Sequence, residues 1–310
     1  MRVVRGALGA TLPPCVLAIG NFDGLHLGHQ ALLQQLRDDG ARRALPTAVL
    51  TFEPHPRELF TPDQAPARLT SLREKIELLA AAGVDYLVVQ RFDRRFAALE
   101  AEAFRDEVLV RHLHAQHVLV GDDFRFGRQR RGDLALLAAT PALSVAGLPE
   151  IQHESKRISS TAVRAALAAG ELEHAARLLG RPYSISGRVV GGERIGRQLG
   201  FPTANIQLKH NRPPLLGIFV VAVHGLGGVR QGVASLGFRP TIHGGDLLPK
   251  LEVHLFDFNE DIYRRHLRVD FLVKLRDEEK YPDLETLKAQ IARDCEAARA
   301  WFAAKENLNV

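Results

Sequence analysis

Near the N-terminus the chain reads Gly20-Asn21-Phe22-Asp23-Gly24-Leu25-His26-Leu27-Gly28-His29. The apolar run Val16-Leu17-Ala18-Ile19 precedes this stretch, and a segment with helical spacing, residues 30–36, follows it. A strand, a glycine-rich turn and a helix start together form an anion site, because free backbone N–H groups and the helix dipole both favour negative charge there. The order predicts a βα unit with a phosphate site in its turn.

The turn carries two histidines, His26 and His29, where a P-loop carries lysine. Two imidazoles at this spacing can donate hydrogen bonds to charge that builds up on a phosphate, and Gly28 lets the backbone come close. Histidines that are packed or act as caps are the alternative interpretation. A zinc site is disfavoured, because no cysteine and no obvious third ligand lies nearby.

This turn resembles the His-x-Gly-His signature of the nucleotidylyl transferases, which move AMP or CMP from a nucleoside triphosphate onto a phosphate acceptor. The resemblance implies that His26 and His29 are catalytic. It also implies phosphate-binding or ATP-binding roles for residues of the same stretch, namely Gly20, Phe22, Asp23 and Gly28.

Composition describes a protein of ordinary globular type: 310 residues, 46% hydrophobic and 25% charged. The net charge of +5 favours anionic partners, but the basic run 125–131 lacks the aromatic interleaving of a single-strand binding surface, so we expect no nucleic acid. No apolar run is long enough for a membrane span, and the start lacks a signal-peptide core, so we expect a cytoplasmic protein. We expect a monomer or a weak homo-oligomer.

Two cysteines, Cys15 and Cys295, stand far apart and predict neither a disulfide framework nor a metal site. His112, His114 and His117 are interpreted as surface or capping residues.

Residues 1–182 alternate between strand-like and helix-like segments, which predicts a parallel α/β sheet. The predicted strands are 16–20, 47–52, 85–90, 117–121 and 142–146, and the predicted helices are 27–38, 71–82, 101–114, 160–169 and 172–179. Ligands bind at the carboxyl ends of strands in such sheets, which is where the histidine turn falls.

Beyond Gly180 and Pro182 the pattern changes to short β-type runs, as in an antiparallel barrel or sandwich. These runs are 185–190, 217–223, 229–236, 251–256 and 267–273, and a final helix is predicted at 283–307. The change predicts two domains, residues 1–182 and residues 183–310.

Three further segments of the first domain carry candidate chemistry. Thr51–Arg57 ends the second predicted strand with two prolines, and its Phe52 and His55 offer flat faces for an aromatic ring. Val120–Arg128 places acids, arginines and two phenylalanines at a strand end. In Ile158–Arg164, Ser and Thr hydroxyls with an arginine one turn later form either a helix N-cap or a triphosphate cradle, and the two roles are compatible.

Together these segments resemble the FMN adenylyltransferase module of the bifunctional bacterial riboflavin kinase/FAD synthetase family. The flavin comes from this resemblance and not from the residues alone. It implies a triphosphate loop at Ser159, Ser160, Thr161 and Arg164, and a flavin site at Phe52, His55, Asp123, Phe124 and Arg125. The implied reaction is attack by the FMN phosphate on the α-phosphorus of ATP. It needs no protein nucleophile, because positioning and charge stabilisation with Mg²⁺ carry catalysis.

The second domain contains Gly187–Asn205, a near-miss to a P-loop that we reject because its Lys and Ser/Thr are absent. The segment resembles the riboflavin kinase motif that ends in Pro-Thr-Ala-Asn. The resemblance implies that Thr203 and Asn205 hold Mg²⁺ and the ATP phosphates, and hard oxygen ligands of this type suit that ion.

The strand-like segment Leu251–Phe258 resembles the same family and implies that Glu252 is the general base toward the riboflavin 5′-hydroxyl. An exposed strand glutamate is the alternative interpretation. Two positions depart from the family pattern, Ser235 where Asn is usual and Arg264 where Gly is usual.

The predicted fold is a Rossmann-like nucleotidylyl transferase domain followed by an antiparallel β-barrel riboflavin kinase domain with a C-terminal helix. The predicted activity is phosphorylation of riboflavin to FMN and adenylylation of FMN to FAD, with ATP as co-substrate and Mg²⁺ as cofactor.

An adenylyltransferase whose barrel only binds flavin or regulates is the competing enzyme, and Thr203, Asn205 and Glu252 together argue against it. A basic nucleic-acid-binding protein on an old nucleotide fold is the competitor from another class, and His26, His29 and Arg164 argue against that.

Overall fold

The computed structural model describes residues 1–9, 11–149, 151–153, 156–192, 196, 199–209, 212–240 and 247–306. The described chain divides into two compact units: residues 1–66 with 72–160, and residues 67–71 with the described residues from Thr161 onward. A parallel sheet in the first unit, and a closed barrel with a C-terminal helix in the second, confirm the predicted fold.

The first unit is built on a parallel sheet. Its strands are β1 (Arg2–Arg5), β2 (Cys15–Ile19), β3 (Thr47–Glu53), β4 (Tyr86–Arg91), β5 (Ala115–Gly121) and β6 (Ser144–Leu148), in the order β1-β4-β3-β2-β5-β6. The chain runs outward from β2 through β3 to β4 and then returns to the other side of β2. The strand order therefore reverses between β2 and β5, and in open α/β sheets ligands bind outside the carboxyl ends at such a point.

Helices cover both faces of this sheet, so its central strands are apolar throughout. The helices are α1 (Leu27–Arg43), α2 (Pro56–Phe60), α3 (Leu72–Ala81), α4 (Arg94–Ala97), α5 (Ala101–Ala103) and α6 (Leu134–Ala138), and Phe104–His112 forms π-type turns. A short hairpin of β7 (Gln152–His153) and β8 (Lys156–Arg157) also belongs to this part of the chain. Val16 and Ala18 of β2 pack with Leu33 of α1 on one face, while Leu17 and Ile19 pack on the other.

The second unit is a barrel with helices around it. Its helices are α8 (Leu172–Leu179), α9 (Leu284–Glu306) and α7 (Ser160–Ala168), and only the first residue of α7, Ser160, is assigned to the first unit. The strands are β9 (Tyr183–Val190), β10 (Thr203–Ile206), β11 (Gly217–His224), β12 (Arg230–Pro240), β13 (Leu247–Leu255) and β14 (His266–Arg276), and they close in the antiparallel order β10-β13-β12-β11-β14-β9. The second unit is therefore a barrel and not a sandwich.

The helix α9 covers the outer face of the barrel. Its Cys295 and Ala298 are buried in one apolar cluster with Ile218, Val220 and Val233 of the barrel strands. Arg276 at the end of β14 donates to the Asp294 carboxylate (Nη2–Oδ2 2.7 Å), which ties the helix to the sheet. The helix therefore supplies cover that the barrel surface requires.

The helix α8 buries one face, with Leu172, Ala175, Leu178 and Leu179 all nearly inaccessible, and it contacts β9 and β14. Its end at Gly180 in the left-handed conformation (φ 71°) agrees with the predicted helix stop. The border between the two compact units falls between Ser160 and Thr161, so α8 belongs to the same unit as the barrel. The domain boundary near residue 182 stays a prediction.

Candidate active sites

The predicted nucleotide turn joins β2 to α1. His26 caps α1, because its Nδ1 accepts a hydrogen bond from the backbone N–H of His29 at 3.3 Å. The two imidazole rings stack with centroids 3.7 Å apart and 18° between their planes. His26 is thus both a helix cap and one half of a paired imidazole surface at a helix N-terminus, where anions bind.

Close contacts explain the glycines of this turn. A Cβ added to Gly28 would lie 3.1 Å from the His26 ring, and one added to Gly20 would lie 3.2 Å from the Phe22 ring. Phe22 is fully buried and its ring centroid lies 5.2 Å from that of His29. Phe22 therefore packs against the imidazole pair, and larger residues at either glycine would displace a ring.

Burial sets the electrostatics of the pair. It holds the pKa of His29 well below the usual value of 6.5, and the nearby His26 and Lys75 lower it further. His29 is therefore neutral near pH 7 and would meet a phosphate as a hydrogen-bond donor rather than as a cation.

A hydrogen bond joins the predicted triphosphate loop to this turn. Ser160 donates from Oγ to the backbone carbonyl of Asp23 at 2.9 Å, and Asp23 itself is buried. Ser159 directly precedes α7. Thr161 and Arg164 belong to the second unit, where Arg164 Nε donates to the carbonyl of Ala67 at 2.5 Å. Their part in a phosphate cradle stays a prediction.

The predicted flavin residues lie in two segments that follow β3 and β5. Phe52 ends β3, and His55 caps α2 by accepting from the backbone N–H of Arg57 (Nδ1–N 3.2 Å). Asp123 is paired with Arg157 at 2.7 Å and Arg125 with Asp133 at 3.0 Å. Exposed ion pairs of this kind contribute little to stability and can exchange for a ligand.

A continuous cluster of phenylalanine rings connects the two segments. Phe52 lies 6.0 Å from Phe96, Phe96 lies 6.1 Å from Phe104, and Phe104 lies 5.3 Å from Phe126, which stacks at 5.6 Å on Phe124. Aromatic packing therefore couples the Phe52 segment to the Phe124 segment inside the first unit.

In the barrel, the predicted kinase residues are neighbours across strands. Asn205 of β10 and Ser235 of β12 each pair with Glu252 of β13, on either side of it, and Thr203 pairs with His254. Residues directly opposite each other have side chains on one face. The register thus brings Asn205 and Glu252 together. Lys250 Nζ lies 3.1 Å from Glu252 Oε1 and holds the carboxylate in place.

Two glycines form a cradle around the predicted metal ligands. A Cβ on Gly192 would collide with the Asn205 amide, and one on Gly196 would collide with the Phe201 carbonyl and lie 3.3 Å from Thr203 Oγ1. The Asn205 Oδ1 is buried and has no hydrogen-bond partner among the described residues. Much of the rejected P-loop near-miss, residues 193–195 and 197–198, lies outside the described residues.

The two departures from the family pattern have distinct local settings. Ser235 donates from Oγ to Glu278 (Oε1, 2.9 Å), so the smaller side chain still has a partner on this face. Arg264 has φ 66°, a conformation that glycine adopts without the steric cost that a side chain brings.

Three residues near the histidine turn were missed by the sequence reasoning: Asn21, Thr51 and Lys75. Thr51 donates to the Asn21 carbonyl at 3.2 Å, and Lys75 Nζ lies 3.4 Å from Thr51 Oγ1. Asn21 stands inside the quoted motif. The sequence also offered an indication for Lys75, because it lies one helical turn before Leu79 and both residues are buried on α3.

Neither cysteine is a candidate nucleophile. Burial raises the pKa of the Cys15 thiol to about 12 and is the main cause that raises that of Cys295 to about 11, so both are protonated at neutral pH. Within the described ranges no cluster of three or more His, Cys, Asp or Glu side chains could hold a metal ion.

The interpretation of His117 as a surface or capping residue is wrong. Its side chain is buried, with Nδ1 3.0 Å from Ser144 Oγ and Nε2 3.4 Å from the Asp39 carboxylate. Burial and the nearby Arg43 lower the pKa of His117, although Asp39 opposes this. The first unit therefore buries two neutral histidines.

These two histidines predict acid sensitivity of the first unit. Unfolded histidine titrates near 6.5, so below that pH the unfolded chain binds more protons than the folded one, and the free energy of unfolding falls as pH falls. The slope is at most about 1.4 kcal/mol per pH unit for each histidine. Far-UV circular dichroism during urea unfolding at pH 7.5, 6.5 and 5.5 would measure it, while fluorescence of Trp301, the single tryptophan, follows the second unit. His29→Gln should flatten the slope, and an unchanged slope would contradict the assignment.

Two family models match the chain. The model described as FAD synthetase matches residues 9–162, and the model described as riboflavin kinase matches residues 179–302.

Curated relatives match over nearly the whole length. The bifunctional riboflavin kinase/FMN adenylyltransferase of Escherichia coli (strain K12) is 49% identical over 309 residues, covering 97% of this chain and 98% of the relative. The proteins of the same name from Haemophilus influenzae and Pseudomonas fluorescens are each 46% identical over 308 residues. They cover 97% and 98% of this chain and 99% and 98% of their own lengths.

A solved structure matches both units. The crystal structure of a protein named macrolide-efflux protein, from Streptococcus pneumoniae, has a TM-score of 0.83 and 30% sequence identity, covering 97% of this chain and 100% of that chain. The name applies to the streptococcal protein. Among the described helices of this chain, none is both long and apolar enough to cross a membrane.

Proposed function

This chain belongs to the family of bifunctional riboflavin kinase/FMN adenylyltransferases, and from that membership we propose which residues carry each of its two reactions. The second unit phosphorylates riboflavin with ATP to give FMN, and the first unit adenylylates FMN to FAD with release of pyrophosphate. The observation that carries the residue assignment is that each unit holds its own set of phosphate-handling groups, the stacked histidines in one and the Asn205–Glu252 pair in the other.

In the adenylyl transfer, a phosphate oxygen of FMN attacks the α-phosphorus of ATP. His26 and the neutral His29 donate hydrogen bonds to the oxygens on which charge grows, and the N-terminus of α1 adds its dipole. Gly20 and Gly28 give the phosphates access to the backbone. Phe22 and Asp23 shape the turn, while Ser159, Ser160, Thr161 and Arg164 bind the triphosphate.

The flavin site of this reaction is proposed at the ends of β3 and β5. Phe52, His55 and Phe124 offer flat faces to the isoalloxazine ring, and Asp123 and Arg125 offer polar contacts to its edge or to the FMN phosphate. The connected phenylalanine cluster supports this assignment, because it fixes the two segments relative to each other.

In the kinase reaction, Glu252 takes the proton of the riboflavin 5′-hydroxyl while that oxygen attacks the γ-phosphorus of ATP. Lys250 orients the carboxylate, since its Nζ lies 3.1 Å from Oε1. Asn205 is opposite Glu252 in the strand register, so phosphate bound beside Asn205 would lie close to the base.

The barrel residues fit Mg²⁺. The Thr203 hydroxyl and the buried Asn205 amide oxygen, which lacks a hydrogen-bond partner among the described residues, are hard oxygen donors inside a glycine-lined cradle. These two residues would hold the ion, which neutralises charge on the ATP phosphates when bound.

The test is a time course with riboflavin, ATP and Mg²⁺, resolving riboflavin, FMN and FAD by chromatography. FMN should appear first and FAD second, and chelation of Mg²⁺ should stop both steps. FAD formed from supplied FMN, without any FMN formed from riboflavin, would favour the monofunctional alternative. The cytoplasmic location and the monomer or weak homo-oligomer stay predictions, which cell fractionation and light scattering would check.

A pair of fragments tests the boundary near residue 182. We expect residues 161–310 and residues 183–310 both to convert riboflavin to FMN, and neither to make FAD. The shorter fragment lacks α8 and should unfold at lower urea concentration, because burying each leucine of α8 contributes about 1.5–3 kcal/mol. Urea unfolding followed by Trp301 fluorescence measures the difference. Equal stability would mean that α8 belongs with the first unit, and a folded but inactive 183–310 would mean that the kinase site needs residues before 183.

A further inference from the structure

We propose that Asn21 is a specificity residue of the adenylyl transfer, whose side-chain oxygen accepts a hydrogen bond from a hydroxyl of the ribityl chain of FMN. The inference deepens the function proposed above and rests on it.

The first observation is an unsatisfied acceptor in the first unit. The Oδ1 atom of Asn21 is buried and has no hydrogen-bond partner among the described residues. Buried polar atoms are nearly always satisfied in folded proteins, and an exception points to a missing water, ion or ligand. An amide oxygen can only accept a hydrogen bond, so the group that satisfies it is an O–H or N–H donor or a cation, and not an ionised phosphate oxygen.

The second observation is the position of Asn21 in the sheet. The parallel pairing of β2 with β3 ends at Ile19 and Leu50, and the N–H of Gly20 continues it by donating to the Leu50 carbonyl at 3.1 Å. In this register Asn21 comes opposite Phe52. On its other side β2 pairs with β5, the strand that leads into the second proposed flavin segment. Asn21 therefore lies between the two flavin segments, where the strand order reverses and α/β sheets bind their ligands.

The third observation is the face of the sheet on which Asn21 lies. Phe22, the next residue, is buried in the apolar cluster between the sheet and α1. A Cβ on Gly20 would lie 3.2 Å from the Phe22 ring, so Gly20 faces the same cluster. Side chains alternate along an extended chain, which places Asn21 on the opposite face with Ile19. That face carries the cluster of phenylalanine rings, Phe52 among them.

This location selects one part of the substrate. The flavin ring is proposed to lie at the ends of β3 and β5, and the phosphate at His26 and His29, which follow Asn21 in the turn. In FMN the ribityl chain joins the ring to the phosphate, so a residue between the two sites lies beside that chain. The ribityl hydroxyls are neutral donors, and the apolar face beside Phe52 disfavours a cation as the alternative partner.

The test gives two flavin substrates to the full-length wild-type enzyme and to Asn21→Ala, with ATP and Mg²⁺ present. One substrate is FMN, and the other is a phosphopentyl flavin, which keeps the ring and the phosphate but has no hydroxyl on the chain. Asn21→Ala should lower kcat/KM for FMN about tenfold, the usual size of one hydrogen bond, and mainly through KM for FMN. Wild type should prefer FMN over the phosphopentyl flavin, and the variant should lose about tenfold of that preference.

Further readouts separate this contact from other roles of the side chain. The KM for ATP and the dependence of the rate on Mg²⁺ should be unchanged in Asn21→Ala, because the proposed contact is to the flavin substrate. Riboflavin phosphorylation should be unchanged as well. Asn259→Ala replaces an exposed asparagine of the second unit and is the matched control, which should alter neither the KM for FMN nor the preference between the two flavins. Asn21→Leu, which fills a similar volume without an acceptor, replaces Asn21→Ala if circular dichroism shows the latter unfolded.

The proposal is overturned if the wild-type enzyme uses the phosphopentyl flavin as well as it uses FMN, a result that does not depend on any variant. It is also overturned if the folded variant keeps the full wild-type preference for FMN. A rise in the KM for ATP or in the Mg²⁺ requirement, in place of the KM for FMN, would assign the amide to the nucleotide or the ion and would overturn it too. A wild-type enzyme that makes no FAD from FMN and ATP would instead remove the proposed function itself.

Discussion

Replacing Glu252 with glutamine is expected to lower riboflavin phosphorylation by about 10²–10⁴, the usual range for loss of a general base. Glutamine fills nearly the same volume and keeps the strand, but it cannot accept the proton of the 5′-hydroxyl. The carboxylate is also the partner of Lys250 at 3.1 Å, and that ammonium is partly exposed, so water can replace the lost contact. The rate of FMN formation from riboflavin and ATP, measured by chromatography, checks this.

The same variant should adenylylate supplied FMN at the wild-type rate, because the histidine turn proposed for that reaction lies in the first unit. Glu260→Gln changes an exposed acid of the second unit and serves as the matched control. If Glu252→Gln lost both activities while circular dichroism showed normal folding, the assignment of one reaction to each unit would be wrong.

His29→Ala is expected to lower FAD formation by about 10²–10³, while FMN still accumulates from riboflavin. The variant removes the proposed hydrogen-bond donor to the phosphate and also the ring that stacks on His26 at 3.7 Å. Assays with FMN and ATP give the loss, and assays with riboflavin and ATP give the retained kinase rate.

His112→Ala removes another histidine of the first unit, outside the turn, and should leave both rates unchanged. A wild-type yield of FAD from His29→Ala would exclude the histidine turn from the transfer. If circular dichroism showed instead that the first unit of His29→Ala is unfolded, the stacked pair would be needed for folding. His29→Gln would then be assayed, because it keeps a side chain that can donate.

The parallel sheet could be predicted from the sequence because its inner strands are buried on both faces. Val16–Ile19 and the strands beside it are continuous apolar runs, and a glycine-rich turn marks the end of β2. The outermost strand β1 was missed, since Arg2–Arg5 begins and ends with arginine and shows no apolar run. Strand β10 was missed because half of Thr203–Ile206 is polar and belongs to a ligand motif.

The sequence could not predict that the barrel closes, because a barrel and a sandwich show the same alternation of apolar and polar residues and differ only in which strands pair. The pairing of β9 with both β10 and β14 decides it. Among the helices, α2 was missed because Pro54 lies just before it and Pro56 is its first residue, although proline is well tolerated in a first helical turn.

For the candidate sites, the sequence was informative where a motif fixes residue spacing and uninformative where contacts join distant segments. The pairing of Asn205 with Glu252 needs the strand register, and the approach of Lys75 to Thr51 needs the packing of α3 on the sheet. A lysine within an apolar stripe is ordinarily assigned to the surface, because most lysines are there.

The two units differ in how they expose backbone to other chains. A closed barrel leaves no strand without neighbours, whereas the parallel sheet ends in β1 on one side and β6 on the other. Unpaired edges can add a strand from a second molecule, which is a route to aggregation. Arg2 and Arg5 flank the two valines of β1, and the strand is only four residues long. Short length and flanking positive charge are two of the devices by which proteins discourage such pairing, so protection against β-aggregation is built into the edge that the N-terminus forms.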